Sequence, residues 1–147
     1  MDDVPARLSV VTLAVESVPA LRRFYGQLGW EELPNSSDGW AAFLLGGVVL
    51  ALYPEQVLAG EAVSDGEEVS TGSWRGATLA VNVDGREDVD AAYATALRAG
   101  GRAVAEPQER PWGGRSAYFA DPEGNRWEIA YAAGAEFGAR GEVVRFG

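Results

Sequence analysis

The sequence predicts an α+β fold of two tandem βαβββ modules, and three observations carry that prediction. A strand core repeats: Thr12-Leu-Ala-Val15 returns as Thr78-Leu-Ala-Val81. Each copy is followed by apolar residues at helical spacing. After each helix come an extended segment and a strand–turn–strand pattern, so one supersecondary unit occurs twice.

In the first module, Leu8 to Val15 is rich in β-branched residues and reads as a strand. Ser17 is placed to cap the next helix, and Pro19 suits its first turn. Val18, Leu21, Phe24, Tyr25 and Leu28 fall on one helical face, and Gly29 stops the helix. Trp30 to Leu33 is a short strand and Pro34 to Gly39 a loop. Trp40 to Leu45 and Val48 to Tyr53 form a hairpin around Gly46-Gly47.

The second module repeats this order. Ala77 to Val83 is a strand, and Asp84 with Glu87 has capping-box spacing. Val89, Tyr93, Ala96 and Leu97 make the buried helix face, which Gly100-Gly101 ends. Arg102 to Glu106 is a strand and Pro107 to Gly114 a loop. Arg115 to Ala120 and Arg126 to Tyr131 form the closing hairpin around Asp121-Pro-Glu-Gly124. The bounds are about 7–53 for module one, 54–73 for a linker, 74–132 for module two and 133–147 for a tail, all in a single domain of 147 residues. The linker holds five acids and no base and opens with a short helix, Glu55 to Ala59. In the tail, Val143, Val144 and Phe146 are available to add an edge strand or dock on a partner.

Composition removes several chemistries. There is no Cys, so no disulfide, thiolate nucleophile or zinc–thiolate site. There is no His, the commonest general base and transition-metal ligand. All twelve basic residues are Arg, which excludes a Schiff-base lysine. Ser36, Ser37, Ser64, Ser70, Ser73 and Ser116 therefore have no His partner for a triad. No Gly-rich stretch has nucleotide-binding spacing. A net charge of −10 argues against nucleic acid and anionic membranes. No apolar run is long enough to span a bilayer, and the acidic N-terminus is unlike a signal peptide, so the expected location is cytoplasmic.

The paired modules, the run Phe24-Tyr-Gly-Gln-Leu-Gly-Trp30 and the segment Phe119-Ala-Asp-Pro-Glu-Gly-Asn-Arg-Trp-Glu128 resemble the vicinal oxygen chelate superfamily. That superfamily includes glyoxalase I, extradiol dioxygenases, fosfomycin-resistance enzymes and bleomycin-resistance proteins. The resemblance covers about residues 7–132 and implies that the two modules form a cupped mixed sheet with flanking helices. It further implies a metal held by one ligand from the first strand and one from the last strand of each module. On this chain the last-strand position of module two is Glu128, and aligning Tyr53 with Tyr131 makes Leu50 its counterpart. The first-strand positions fall on Val10 or Thr12 and on Gly76 or Thr78. Neither register supplies His, Asp or Glu, and one carboxylate is too few for a catalytic divalent ion. No metal or other cofactor is expected.

Strand alternation places Arg126, Glu128 and Ala130 on one face, and Trp127, Ile129 and Tyr131 on the helix-packed face. Glu128 thus points into the cup, as an ion-pair partner of Arg115 or Arg126, a general base, or an anchor for a cationic ligand. Trp127 and Trp30 read as core. Trp40, Trp74 and Trp112 stand beside loops near the rim, where an aromatic face suits flat or cationic ligands. Phe43 and Tyr118 occupy corresponding hairpin positions. The expected ligand-binding set is Trp40, Phe43, Leu50, Trp112, Arg115, Tyr118 and Glu128, with Glu128 also the candidate catalytic residue. The expected function is metal-independent small-molecule binding, of the antibiotic-sequestration kind. A lyase or isomerase using Glu128 as base is the alternative. A homodimer is expected, because pockets in the family often lie between subunits.

Overall fold

A computed structural model describes residues 4, 6–68 and 74–146. The end of the linker, with Ser70 and Ser73, lies outside the described residues. In the first module β1 (Val10–Val15) runs parallel to β3 (Val48–Pro54), and β3 pairs antiparallel with β2 (Ala41–Leu45). The second module gives the order β4-β7-β6-β5 from β4 (Leu79–Asn82), β5 (Arg102–Glu109), β6 (Arg115–Ala120) and β7 (Arg126–Tyr131). Its β4 and β7 are again parallel, so the duplication read from the repeat is present in the topology.

Helix α1 (Val18–Gln27) begins where Ser17 accepts the Ala20 N–H at 3.2 Å, satisfying a backbone donor that the helix cannot. Val18, Leu21, Phe24 and Tyr25 form its buried face. Helix α3 (Arg86–Arg98) starts later than the Asp84–Glu87 spacing predicts. Gly85 is its N-cap, and the Asp88 carboxylate, not that of Glu87, accepts the Gly85 N–H at 3.0 Å. Helix α2 (Glu55–Ala62) is longer than expected and packs against β1 and β3.

Two strand expectations change. Trp30 to Leu33 contracts to one bridge, between Glu32 and Phe43. Arg22 on α1 holds both Glu32 carboxylate oxygens, at 2.6 and 2.9 Å, and also reaches Asp38 at 2.8 Å. This segment is tied to the helix by side chains and makes little backbone ladder. Strand β5 instead runs beyond Glu106 to Glu109, with register shifts that accommodate Pro107. As the edge strand it tolerates a residue that cannot donate to a ladder. The tail forms its own hairpin from β8 (Glu136–Phe137) and β9 (Val143–Arg145) and joins neither larger sheet. Its turn rests on the first hairpin: a side chain at Gly46 would meet the Gly141 carbonyl oxygen at 3.0 Å.

One core joins the modules. Phe24, Tyr25, Trp30 and Phe43 of the first interlock with Phe119 and Trp127 of the second. Tyr25 stacks on Trp30 with centroids 5.4 Å apart, and Phe119 stacks on Trp127 at 6.4 Å. The turn between β6 and β7 locks this arrangement. Asp121 is 2% exposed and accepts from the Tyr25 hydroxyl at 2.5 Å, from the Glu123 and Asn125 N–H groups, and from Asn125 Nδ2. Glu123 accepts the Glu16 and Ser17 N–H groups at 2.7 and 2.9 Å, where its charge meets the positive end of α1. The Asp-Pro-Glu-Gly-Asn turn therefore clamps module two to the start of α1.

Candidate functional site

Register decides which side chains reach the cup. On β7, Trp127 and Ile129 join the core, so Glu128 lies on the opposite face, as alternation requires. Its lateral neighbours are Tyr118 on β6 and Ala80 on β4. In module one the same parity sends Val11, Leu13, Leu50, Leu52, Ala41 and Phe43 to the core. Leu50 and Phe43, only 2% and 0% exposed, are core residues and not cup contacts.

The two hairpins do not align on their tyrosines. Leu13 is opposite Leu52, and its repeat equivalent Leu79 is opposite Trp127. Leu52 therefore corresponds to Trp127, and Tyr53 to Glu128. Ala41 faces Leu52 as Phe119 faces Trp127, so the counterpart of Tyr118 is Trp40, not Phe43. A repeat of small and apolar residues fits more than one hairpin register, and only the paired first strand removes the ambiguity.

Arg115 also leaves the expected set. It stands opposite Tyr131 and donates to both oxygens of Asp90 at 2.8 Å and to Glu109 at 3.1 Å. These bonds hold the Asp90 carboxyl below its usual range. Arg126 donates to the Gly124 carbonyl at 2.6 Å. Among the described residues neither arginine forms an ion pair with Glu128, so the expected structural pair is not made.

Arg110, outside the expected set, is on the cup face. Its Nε donates to Ser116 Oγ at 2.7 Å, and its guanidinium lies 5.7 Å from the centre of the Tyr118 ring. Ser116 is buried beneath it. Burial raises the Tyr118 hydroxyl above the ordinary phenol range; the charge and hydrogen bonding of Glu128 raise it further, and Arg110 opposes them. Cation, phenol and carboxylate thus follow one another across the face. The available sequence signal was the loop reading of Pro107 to Gly114, which located the segment without showing which side chain turns inward.

Trp112 is 55% exposed, with its ring over Gly114 just before β6. A β-carbon at Gly114 would sit 1.9 Å from the indole and 2.3 Å from the Tyr131 carbonyl oxygen. Glycine there is a requirement of space. Arg86 supports the loop from behind, donating to Glu109 and to the Gly113 carbonyl and lying over the Tyr131 ring. Trp74 is exposed and donates its indole N–H to the Ala77 carbonyl at 3.0 Å. Trp40 is half-buried on the cup-facing parity of β2.

The metal implied by the resemblance finds no matching donor set. The cup-facing positions include Val10, Thr12 and Ala14 on β1, Ala51 and Tyr53 on β3, Ala80 and Asn82 on β4, Ser116 and Tyr118 on β6 and Arg126 and Glu128 on β7, and among these only Glu128 is an acid. Among the described residues no group of three His, Cys, Asp or Glu could hold an ion. A cleft of about 550 Å³ lies elsewhere, between the end of β1, the start of α2 and the β6–β7 turn. Its walls mix Arg75 and Arg102 with Glu16 and Glu55. Size alone does not make it the site; the convergence of cation, phenol and carboxylate occurs at Glu128. No helix among the described residues is long and apolar enough to cross a membrane.

Two βαβ-based modules sharing one core, with a solitary last-strand carboxylate in a cup, define a glyoxalase-like protein. Residues 7–129 match the Glyoxalase/Bleomycin resistance protein/Dioxygenase superfamily, and the chain belongs to that family. It is similar to a glyoxalase-related enzyme from Fulvimarina pelagi, at 30% identity and a TM-score of 0.86, over 95% of this chain and 98% of that one. It also resembles a glyoxalase/bleomycin resistance protein/dioxygenase from Nocardioides, at 26% identity and a TM-score of 0.69, over 88% and 85% of the two chains. A lactoylglutathione lyase from Agrobacterium tumefaciens shares the fold, at 20% identity and a TM-score of 0.66, over 88% and 96%. A search of curated proteins finds no match.

Proposed function

We propose that this protein binds a small organic molecule in the module-two cup without a divalent ion, in the manner of a drug-sequestering member of its family. The observation that carries the reading is the placement of Glu128. Among the described residues it is the one acid at a cup-facing strand position, with Tyr118 beside it and no arginine paired to it. A carboxylate in that setting attracts a cationic or hydrogen-bond-donating group, and the exposed Trp112 ring offers a flat apolar surface. Intrinsic fluorescence tests this directly. Cationic aromatic compounds, bleomycin-type glycopeptides among them, should quench tryptophan emission at micromolar levels and be recovered unaltered. A broad panel that moves neither the emission nor the melting temperature would remove the basis for the reading.

The adjacency of Tyr118 and Glu128 supports a second reading, a lyase or isomerase. Glu128 would take a proton from carbon, and Tyr118, kept protonated by its raised pKa, would donate to the developing oxyanion. Glu128→Gln should then abolish turnover and leave the melting temperature unchanged. Retained turnover would exclude Glu128 as the base.

A further inference from the structure

The half-buried arginines of this chain are not treated alike. Arg22 reaches Glu32 and Asp38, and Arg115 reaches Asp90 and Glu109. Arg126 donates to a backbone carbonyl. Among the described residues the Arg110 side chain bonds only through Nε, and only to a neutral hydroxyl. Its Nη2 is enclosed with no acceptor, and among the described residues no carboxylate lies within ion-pair distance of its guanidinium. In a protein of net charge −10, with acids outnumbering bases 22 to 12, such a cation is not short of potential partners. The fold leaves it without one.

A guanidinium held in place but lacking an acceptor is costly to bury and is suited to receive one. The Ser116 bond and the Tyr118 ring fix its plane, so little side-chain freedom remains to be lost on binding. Nη1, which is not enclosed and makes no hydrogen bond among the described residues, is the charged donor left to meet an incoming carboxylate oxygen. Glu128, the opposite charge, is the cross-strand neighbour of Tyr118.

We propose that Arg110 is a carboxylate-recognition subsite, and that the ligand of this cup is zwitterionic in pattern: a carboxylate at Arg110 and an ammonium or other donor at Glu128, joined by a flat or aliphatic spacer lying on Tyr118. The proposal rests on the cup being the binding site, and it narrows the ligand class from cationic compounds to amino-acid-like ones.

The test uses four related probes: 4-(aminomethyl)benzoate, its methyl ester, benzoate and benzylamine. The readouts are the NMR signal of the Arg110 Nε–H, which the Ser116 bond shelters from exchange, and the melting temperature. The zwitterion should shift that signal saturably and bind more tightly than either single-charge probe. The methyl ester should lose roughly tenfold or more in affinity, the expected effect of one charge-assisted contact. Arg110→Met should make the ester and the free acid equal. Without ligand, Arg110→Met should melt at or above the wild-type temperature, because it removes an unpaired cation; a marked fall would make Arg110 a structural residue and overturn the proposal. Benzylamine binding that depends on Glu128 but is indifferent to the carboxylate would overturn this subsite and leave the cup reading intact. No binding of any probe into the millimolar range would overturn both.

Discussion

Asp121 accepts the Tyr25 hydroxyl proton at 2.5 Å, joining residues 96 positions apart in the chain. The same hydroxyl accepts the Trp127 indole N–H at 3.0 Å. The bond therefore lies at the point where helix α1 of one module meets the last strand of the other. Asp121→Ala leaves the Tyr25 hydroxyl, two backbone N–H groups and Asn125 Nδ2 without their acceptor. Tyr25→Phe removes one donor to Asp121 and the acceptor of Trp127. Each buried group left unsatisfied costs about 1–3 kcal/mol, so both variants should be destabilised and Asp121→Ala the more severely. Urea unfolding followed by tryptophan emission measures the difference; unchanged midpoints would show that the turn does not clamp the modules.

The same hydroxyl predicts an alkaline limit to stability. Burial, and then the negative charge of Asp121, hold the Tyr25 pKa well above that of a free phenol at 10.0. In the unfolded chain Tyr25 loses its proton near pH 10. The raised folded pKa therefore contributes stability that is complete below pH 10 and is lost as pH rises above it. Absorbance titration should show the Tyr25 phenolate appearing together with the loss of folded structure. Ionisation of all five tyrosines in a still-folded protein would contradict the burial argument.

Gly114→Ala should displace the Trp112 ring, because the added methyl would occupy its place and crowd the Tyr131 carbonyl. Emission from the displaced indole and probe affinity should change together. Gly113→Ala offers a comparison: there a β-carbon meets nothing within 4 Å, and only the positive φ of 93° opposes it. Equal behaviour of the two variants would mean that packing of Trp112 on Gly114 does not shape the cup wall.

Much of the architecture was legible because local signals agreed. The repeat, the Ser17 cap and the apolar face of α1 all specify one arrangement. Strands β6 and β7 occupy the spans that alternation and turn chemistry indicate. Expectation failed where side-chain chemistry outweighed backbone propensity, as at Glu32, which Arg22 draws to the helix. The site was half legible. Glu128 stands out in an apolar strand, whereas Arg110 belongs to a loop whose inward turn depends on Ser116 and Tyr118 packing beneath it. Leu50 and Phe43 were misplaced by a small slip in hairpin alignment, which in a β-strand can exchange the two faces.

Binding in the cup without a metal is the central claim. Elemental analysis of protein purified without chelators, followed by calorimetric titration with magnesium, manganese, nickel and zinc, addresses this most directly. The predicted result is no stoichiometric ion, no saturable heat and the same melting temperature with and without chelator. A divalent ion bound one per chain, and lost in Glu128→Gln, would contradict it.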